Sequence, residues 1–341
     1  MPAVTIRDVA RHAGVGIGTV SRVLNSSPSV SETTRQKVLV SIQELDYRPS
    51  AIARRLSLGK TLQIAVIVPF FTRPVFVERL RGIEHTLAQS DYDLVLYNVE
   101  TIERRDECFR YIARRERVDG LLIISLLPRD RDVERLLRAQ VPTLLIDARH
   151  PSLHSLNIDD VVGGRQATEH LIELGHRKIG YVSDYLEDPF GFVSSRDRFL
   201  GYYQALEAAD VPFRPQYHKQ GEHSQLEARK LALELLSMPD PPTAIFAASD
   251  TQAIGVLAAV RELGQRVPED LSVIGYDDIE IADYLHLTTV RQPSFSLGIE
   301  AVEMLIELIN QPDLPVREKI LPTKLMVRAT AASPAFIKQP A

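Results

Sequence analysis

Two sets of side chains in this sequence are spaced for chemistry. The first is Ile17, Gly18, Thr19, Ser21 and Arg22, within "VGIGTVSRVLNSSPSVS" at 15–31. Short hydroxyls, an exposed basic fork and an apolar side chain are what a helix lying in a DNA major groove needs to meet base edges. The plainer alternative is a solvated capping helix. The second set is Asp147, Asp184, Asp250 and Asp277, each at or just past the end of an apolar run. An aspartate there either caps a helix or stands at the carboxyl end of a strand, where open α/β sheets bind ligands. Four such acids facing one cleft would suit hydroxyl groups or a basic ligand.

Catalytic patterns are missing. "GHRKIG" at 175–180 has the wrong order and spacing for a phosphate loop, and no nucleophile elbow occurs. "GGRQATEHLIELG" at 163–175 has glycines before a helix but lacks the strand and spacing of a dinucleotide loop. The nine histidines are scattered with no HEXXH, so neither a metal nor another cofactor is expected. The single cysteine, Cys108, allows no intrachain disulfide and reads as inert.

The first set needs a short helix held by a small core. Thr5 can cap a helix from Ile6 to Ala13, with Asp8 in its first turn and Gly14 ending it. A second helix is predicted over Ile17–Leu24 with Val20, Val23 and Leu24 inward. Ser31 can cap a third over 32–45 with Val38, Ile42 and Leu45 inward. "AIARRLSLGK" at 51–60 reads equally well as a plain linker or as a hinge that becomes helical on DNA. In the second case Arg54 and Arg55 would hold phosphates and Leu56 would wedge between base pairs.

The second set needs strands covered on both faces. "LQIAVIVP" (62–69), "YDLVLYNV" (92–99), "DGLLIIS" (119–125) and "PTLLIDA" (142–148) alternate with helices expected at about 75–89, 103–116 and 130–139. The rhythm restarts with strands "KIGYVSD" (178–184), "AIFAASD" (244–250) and "DLSVIGYDD" (270–278), and helices at about 196–208, 224–237 and 251–263. Two similar α/β lobes around a cleft are expected.

Charge is uneven along the 341 residues. Residues 1–60 hold nine basic and four acidic side chains, a net +5 in a chain of net −5, so the remainder carries −10. A basic head on an acidic body favours a nucleic-acid partner for the head alone. No signal peptide or bilayer-length apolar run is evident, so the expected location is cytoplasmic, with no membrane partner.

"TIRDVARHAGV…TVSRVLN" (5–25), "VSETTRQKVLVSIQELDYRPSAIARRL" (30–56), "RFLGYYQAL" (198–206), "SDTQAIGVLAAVRELGQRVPEDLSVIGYDD" (249–278) and "LTTVRQP" (287–293) together resemble the lac and purine repressor family of bacterial transcription regulators. The resemblance covers nearly the whole chain. It implies an N-terminal three-helix helix-turn-helix domain (1–49) and a hinge helix (50–60). A two-lobed, periplasmic-binding-protein-like α/β domain with parallel sheets would follow at 61–330, binding effector and dimerising. Its N-lobe would take about 61–159 and 291–321, its C-lobe about 162–289 and 322–330, leaving 331–341 as a tail.

The resemblance also implies roles. Ile17, Gly18 and Arg22 match base-reading positions. Thr5, Thr19, Ser21 and Asn25 match positions that hold the DNA backbone or shape the module, and Leu56 matches the minor-groove residue. Arg198 matches an effector-clamping arginine with Asp277 as its polar partner. Asp147 and Asp250 resemble further cleft residues, Phe76 a wall residue, and His223 a ring position. Two departures are Gly16, where many relatives have Ser, and Gly18, which lacks a side chain to read a base. No leucine heptads follow residue 330, so a homodimer on palindromic operator DNA is expected. The small-molecule effector would be a carbohydrate, with a carboxylate or nucleobase as alternatives. A sugar-binding transport receptor and an enzyme are the rival classes.

Overall fold

Local chemistry starts the first helix. The Asp8 carboxylate accepts from the Thr5 backbone N–H at 3.0 Å and from its hydroxyl at 2.6 Å. Helix α1 then runs Ile6–Ala13 and ends at Gly14, whose φ of +66° is in the left-handed region. Helices α2 (Ile17–Leu24) and α3 (Glu32–Glu44) follow, the latter capped by the Ser31 hydroxyl. Val9, Ala10, Val20, Val23, Val38 and Tyr47 form their buried core.

The computed structural model describes residues 4–24, 27–47, 59–114 and 117–334. The expectations for Asn25, Arg54, Arg55 and Leu56 lie outside these. The chain divides into one unit ending at Thr61 and a second beginning at Leu62.

The second unit holds two six-stranded sheets. The first contains β1 (Gln63–Pro69), β2 (Asp93–Val99), β3 (Gly120–Ile124), β4 (Thr143–Ile146), β5 (His154–Ile158) and β11 (Glu318–Leu321). Its order is β11-β5-β4-β3-β1-β2, all parallel. Helices α4 (Pro74–Leu87), α5 (Ile102–Ile112), α6 (Asp130–Arg138) and α12 (Ser294–Asn310) belong to this N-terminal lobe. The second sheet contains β6 (Ile179–Asp184), β7 (His218–Gly221), β8 (Ala244–Ala247), β9 (Ser272–Asp277), β10 (Thr288–Arg291) and β12 (Lys324–Met326). Its order is β12-β10-β9-β8-β6-β7, with helices α7 (Asp160–Glu173), α8 (Ser194–Ala208), α9 (Gln225–Leu236), α10 (Asp250–Glu262) and the short α11 (Glu280–Tyr284). The chain passes from one sheet to the other after β5, after β10 and between β11 and β12.

Two features depart from the sequence expectations. The C-terminal sheet is not wholly parallel, because β12 pairs antiparallel with β10 at the edge. The helix expected over 103–116 stops at Ile112. Strands β5 (HSLNI) and β7 (HKQG) carry too many polar residues to read as apolar runs, although every residue of β5 is buried.

Two close helix crossings set the positions of arginines described below. A Cβ on Gly164 of α7 would come within 2.2 Å of the Arg198 carbonyl on α8, and one on Gly298 of α12 within 2.2 Å of the Arg79 carbonyl on α4. Within "GGRQATEHLIELG", Gly164 therefore serves backbone approach between helices, and a Cβ on Gly163 would meet the Tyr276 hydroxyl at 2.1 Å.

Candidate functional site

The head presents one face of α2 to solvent. Val20 and Val23 are buried, while Ile17 is 46% exposed and Gly16, Gly18 and Arg22 are exposed. Thr19 and Ser21 are half-buried at the flanks. Thr5 is exposed, but its hydroxyl is engaged by Asp8. That hydroxyl contact is the largest influence holding the Asp8 carboxyl below its usual range. Arg22 makes no ion pair among the described residues, so its charge remains for an external anion. A side chain at Gly18 would meet only the tip of Arg22, at 3.9 Å.

The body builds a polar chain between its lobes. From α4, Arg79 reaches the Asp147 carboxylate just past β4, and its Nη1 lies 3.4 Å from the Ser125 hydroxyl just past β3. Its Nη2 donates to Gln292 Oε1 at 2.8 Å, and Gln292 Nε2 donates to Asp277 Oδ1 at 2.6 Å. Asp277, at the end of β9, also lies 3.5 Å from Arg198 Nη1. Arg198 in turn donates through Nε to Asp160 at 2.8 Å and through Nη1 to the Ala248 carbonyl at 2.6 Å, with its guanidinium 3.8 Å above the Tyr276 ring. Asp147, Arg198 and Asp277 are thus brought together, and Phe76 lies beside them with Arg79 5.6 Å from its ring.

Backbone conformation aims these groups. Ser125 (φ +53°), Asp147 (φ +51°) and Asp277 (φ +113°) all stand at strand ends in left-handed space that non-glycine residues seldom occupy. Such strain concentrates where a site is being held in shape.

Burial pushes the Asp277 carboxyl up to about 6, with Arg198 opposing. Burial also raises Asp147, against the pull of Arg79. Asp184 behaves differently. Burial is the largest influence and would raise it, but the His223 imidazole at 3.0 Å, together with Arg73 and Arg198, holds it below the usual range. Gln252 and the Ser195 hydroxyl also donate to Asp184, at 2.9 and 3.3 Å. His223 is therefore oriented by a carboxylate at the C-terminal lobe's rim.

Asp250 is corrected from a cleft residue to an internal tie. It is wholly buried, and its two oxygens accept from the Ile279 N–H at 2.9 Å and the Thr289 hydroxyl at 2.6 Å. Both oxygens are engaged in fixing the turn after β9 and strand β10, so its carboxylate is directed into the lobe.

Sequence reasoning missed Arg79, Gln292 and an aromatic cluster. Phe70 meets Phe190 at 5.4 Å and Phe192 at 6.5 Å, and the last two stack 5.5 Å apart. Phe190 and Phe192 come from the loop between β6 and α8 yet pack against the core of the N-terminal lobe. Arg73 lies 4.4 Å from the Phe70 ring. The available signal was four phenylalanines in "PFF" and "PFGF", flanking the strand ends. Asp277 and Gln292 also wall a cavity of about 640 Å³, with Val75, Glu78, Arg81 and Phe295. Among the described residues no cluster of three or more acids, histidines or cysteines is arranged to hold a metal, and no helix is long and apolar enough to cross a membrane.

Comparison with known proteins agrees with this architecture. Residues 5–50 match the family model for bacterial regulatory proteins of the lacI family, and residues 168–331 match the periplasmic binding protein-like domain. The HTH-type transcriptional repressor PurR of Aliivibrio salmonicida is 36% identical over 90% of this chain and 92% of its own. The ribose operon repressor of Escherichia coli K12 is 36% identical over 96% of this chain and 99% of its own. A crystal structure of the lac repressor dimer bound to operator and the anti-inducer ONPF superposes with a TM-score of 0.85. It is 30% identical and covers 97% of this chain and 99% of that one. Identity at this level along almost the full length decides the matter: the chain belongs to the lacI family of DNA-binding transcriptional regulators.

Proposed function

We propose that the protein is a cytoplasmic, homodimeric repressor that binds a palindromic operator and is controlled by a small carbohydrate. The observation that carries the carbohydrate reading is the polar chain from Asp147 to Arg198, set between lobes whose rims carry Phe70, Phe190 and Phe192. Carboxylates accept from ring hydroxyls, an arginine donates to them, and aromatic faces cover the ring's C–H surface. The similarity to a ribose operon repressor supports the same class.

For DNA, the exposed face of α2 supports the assignment of Ile17, Gly18 and Arg22 to base edges, with Thr5, Gly16, Thr19 and Ser21 shaping or holding the approach. Asn25 and the segment with Arg54, Arg55 and Leu56 complete that proposal. Two-fold symmetry of the dimer requires a palindromic site. The domain boundaries at 1–49, 50–60 and 61–330 are proposed with it.

One observation favours a second reading. Phe190 and Phe192 are nearly parallel, at 11°, a surface on which a flat nucleobase could stack. Calorimetry at pH 7.5 with D-ribose, D-glucose, D-galactose and hypoxanthine separates the two. Binding of a sugar, weakened in Asp277→Asn, supports the first reading. Hypoxanthine as the sole binder overturns it. A bandshift with palindromic and scrambled duplexes at fixed salt tests the DNA assignment, and equal affinity for both would sink it.

A further inference from the structure

The N-terminal half of the polar chain is a charged pair, and its consequence for the ligand's charge goes beyond the reading above. Arg79 is 2% exposed and sits on α4, one turn after Phe76. Its Nη1 is engaged with Asp147 and its Nη2 with Gln292. Among the described residues, the Arg79 Nε donor and the Asp147 Oδ1 acceptor are both buried without a hydrogen-bond partner. One orphan donor and one orphan acceptor remain on a pair whose charges cancel. Leaving such groups unmatched is costly, so they select for a ligand that supplies their complements. A hydroxyl both donates and accepts, whereas a carboxylate or phosphate only accepts.

The other cations offer an anion little. Arg198 already serves Asp160, Asp277 and the Ala248 carbonyl. Arg73, at the phenylalanine rim, lies in the field of Asp184, Asp188 and Asp277. An anionic substituent entering beside Asp147 and Asp277 would be desolvated against two carboxylates whose arginines, Arg79 and Arg198, are already paired with them, while Arg73 stands apart over the Phe70 ring.

We propose that Arg79 and Asp147 form a charge filter: as an internally neutral pair, they admit a neutral, hydroxyl-bearing ring and turn away the phosphorylated or carboxylated form of the same sugar. Arg79 is the positioning residue, because it neutralises Asp147 and, through Gln292, ties it to Asp277. The filter rests on the carbohydrate reading and adds the class of sugar.

The test uses the full chain and two matched pairs of probes, D-ribose against D-ribose 5-phosphate and D-glucose against D-glucuronate. Affinities are read by calorimetry at pH 7.5, with circular dichroism confirming that each variant is folded. The wild type should favour the neutral member by at least 30-fold. Asp147→Asn leaves Arg79 as an unopposed cation and should shift the ratio toward the acid by at least 10-fold. Arg79→Leu/Asp147→Asn should abolish that shift, and Arg79→Lys should keep the wild-type ratio within threefold. If the leucine double variant does not fold, Arg79→Gln/Asp147→Asn replaces it. A neutral sugar that binds with the same ratio, within twofold, in wild type, Asp147→Asn and the double variant overturns the filter alone. Binding of hypoxanthine with no binding of either neutral sugar overturns the carbohydrate reading and the filter together.

Discussion

On the proposed reading, Arg22 and Asp277 each carry one half of the function. Arg22 is exposed on α2 and makes no ion pair among the described residues, so its fork is unspent. Arg22→Ala is expected to weaken binding to a specific site by about 1–3 kcal/mol. Binding to random duplex should weaken less, and a bandshift at matched salt measures both. Equal losses on the two duplexes would reduce Arg22 to a phosphate contact. Asp277 has a carboxyl raised to about 6 by burial. A ligand hydroxyl that donates to it needs the ionised form. Effector affinity should therefore be flat above pH 7 and fall as pH drops through 6, approaching tenfold per unit below it. Asp277→Asn should bind weakly and with a flatter profile. A wild-type affinity unchanged between pH 5 and 7 would show that Asp277 does not accept from the ligand.

At the scale of elements, glycine positions separate packing from recognition. Gly164 meets the Arg198 carbonyl where α7 crosses α8, and the 2.2 Å approach leaves no room for a methyl group. Gly164→Ala should cost about 1–3 kcal/mol from overpacking, more than the ~1 kcal/mol that alanine returns through helix propensity. It should also displace Arg198 and weaken effector binding. Gly18→Ala is the contrasting case, because its new Cβ would meet only Arg22 Nη2 at 3.9 Å. It should not destabilise the head, while changing the surface offered to DNA. Thermal unfolding of the two variants checks the contrast, and a Gly164→Ala protein as stable as wild type would refute the close crossing. The same contrast explains what could be read from the sequence. Helix α2 was legible because Val20, Val23 and Leu24 repeat at helical spacing before "NSSP". Asp147 and Asp277 were legible as acids ending apolar strands. Asp250 has the same local signature, but it bonds to Thr289, far away in sequence, and no local pattern reports that. Arg79 was invisible for the opposite reason. A charged residue inside α4 reads as solvated until α12, Asp147 and Gln292 close over it. The lobe-crossing strand β11 and edge strand β12 are only four and three residues long, too short to show a pattern, so their membership in different sheets follows only from the tertiary fold.

Across the whole molecule, buried titrating groups set how the effector-binding unit responds to acid, and their signs differ. His176 is wholly buried and lowered to about 4, chiefly by burial. It lies within hydrogen-bond distance of the hydroxyls of Thr243 and Ser272 and the Ala332 carbonyl. It therefore joins the C-terminal sheet to the last described residues of the chain. His218, lowered by burial to about 4, stacks 4.4 Å from Phe199. Both histidines are neutral in the fold and protonate more readily when unfolded. Their contribution is fully present above pH 6.5 and is lost as pH falls toward 4. Asp277 acts in the opposite sense: with its folded value near 6, the native state gains protons first, so its contribution grows as pH falls from 6 toward 3.8. Asp147 and Asp250, also raised by burial, act with Asp277, while His154 and His170, also lowered by burial, act with His176 and His218, so each group's share is read from its own variant. Scanning calorimetry of wild type and His176→Gln between pH 7.5 and 4.5 isolates the share of His176. His176→Gln should start lower at pH 7.5, because the glutamine cannot reproduce all three contacts, but lose less on acidification. Parallel pH profiles for wild type and His176→Gln would show that this histidine does not link protonation to the stability of the fold.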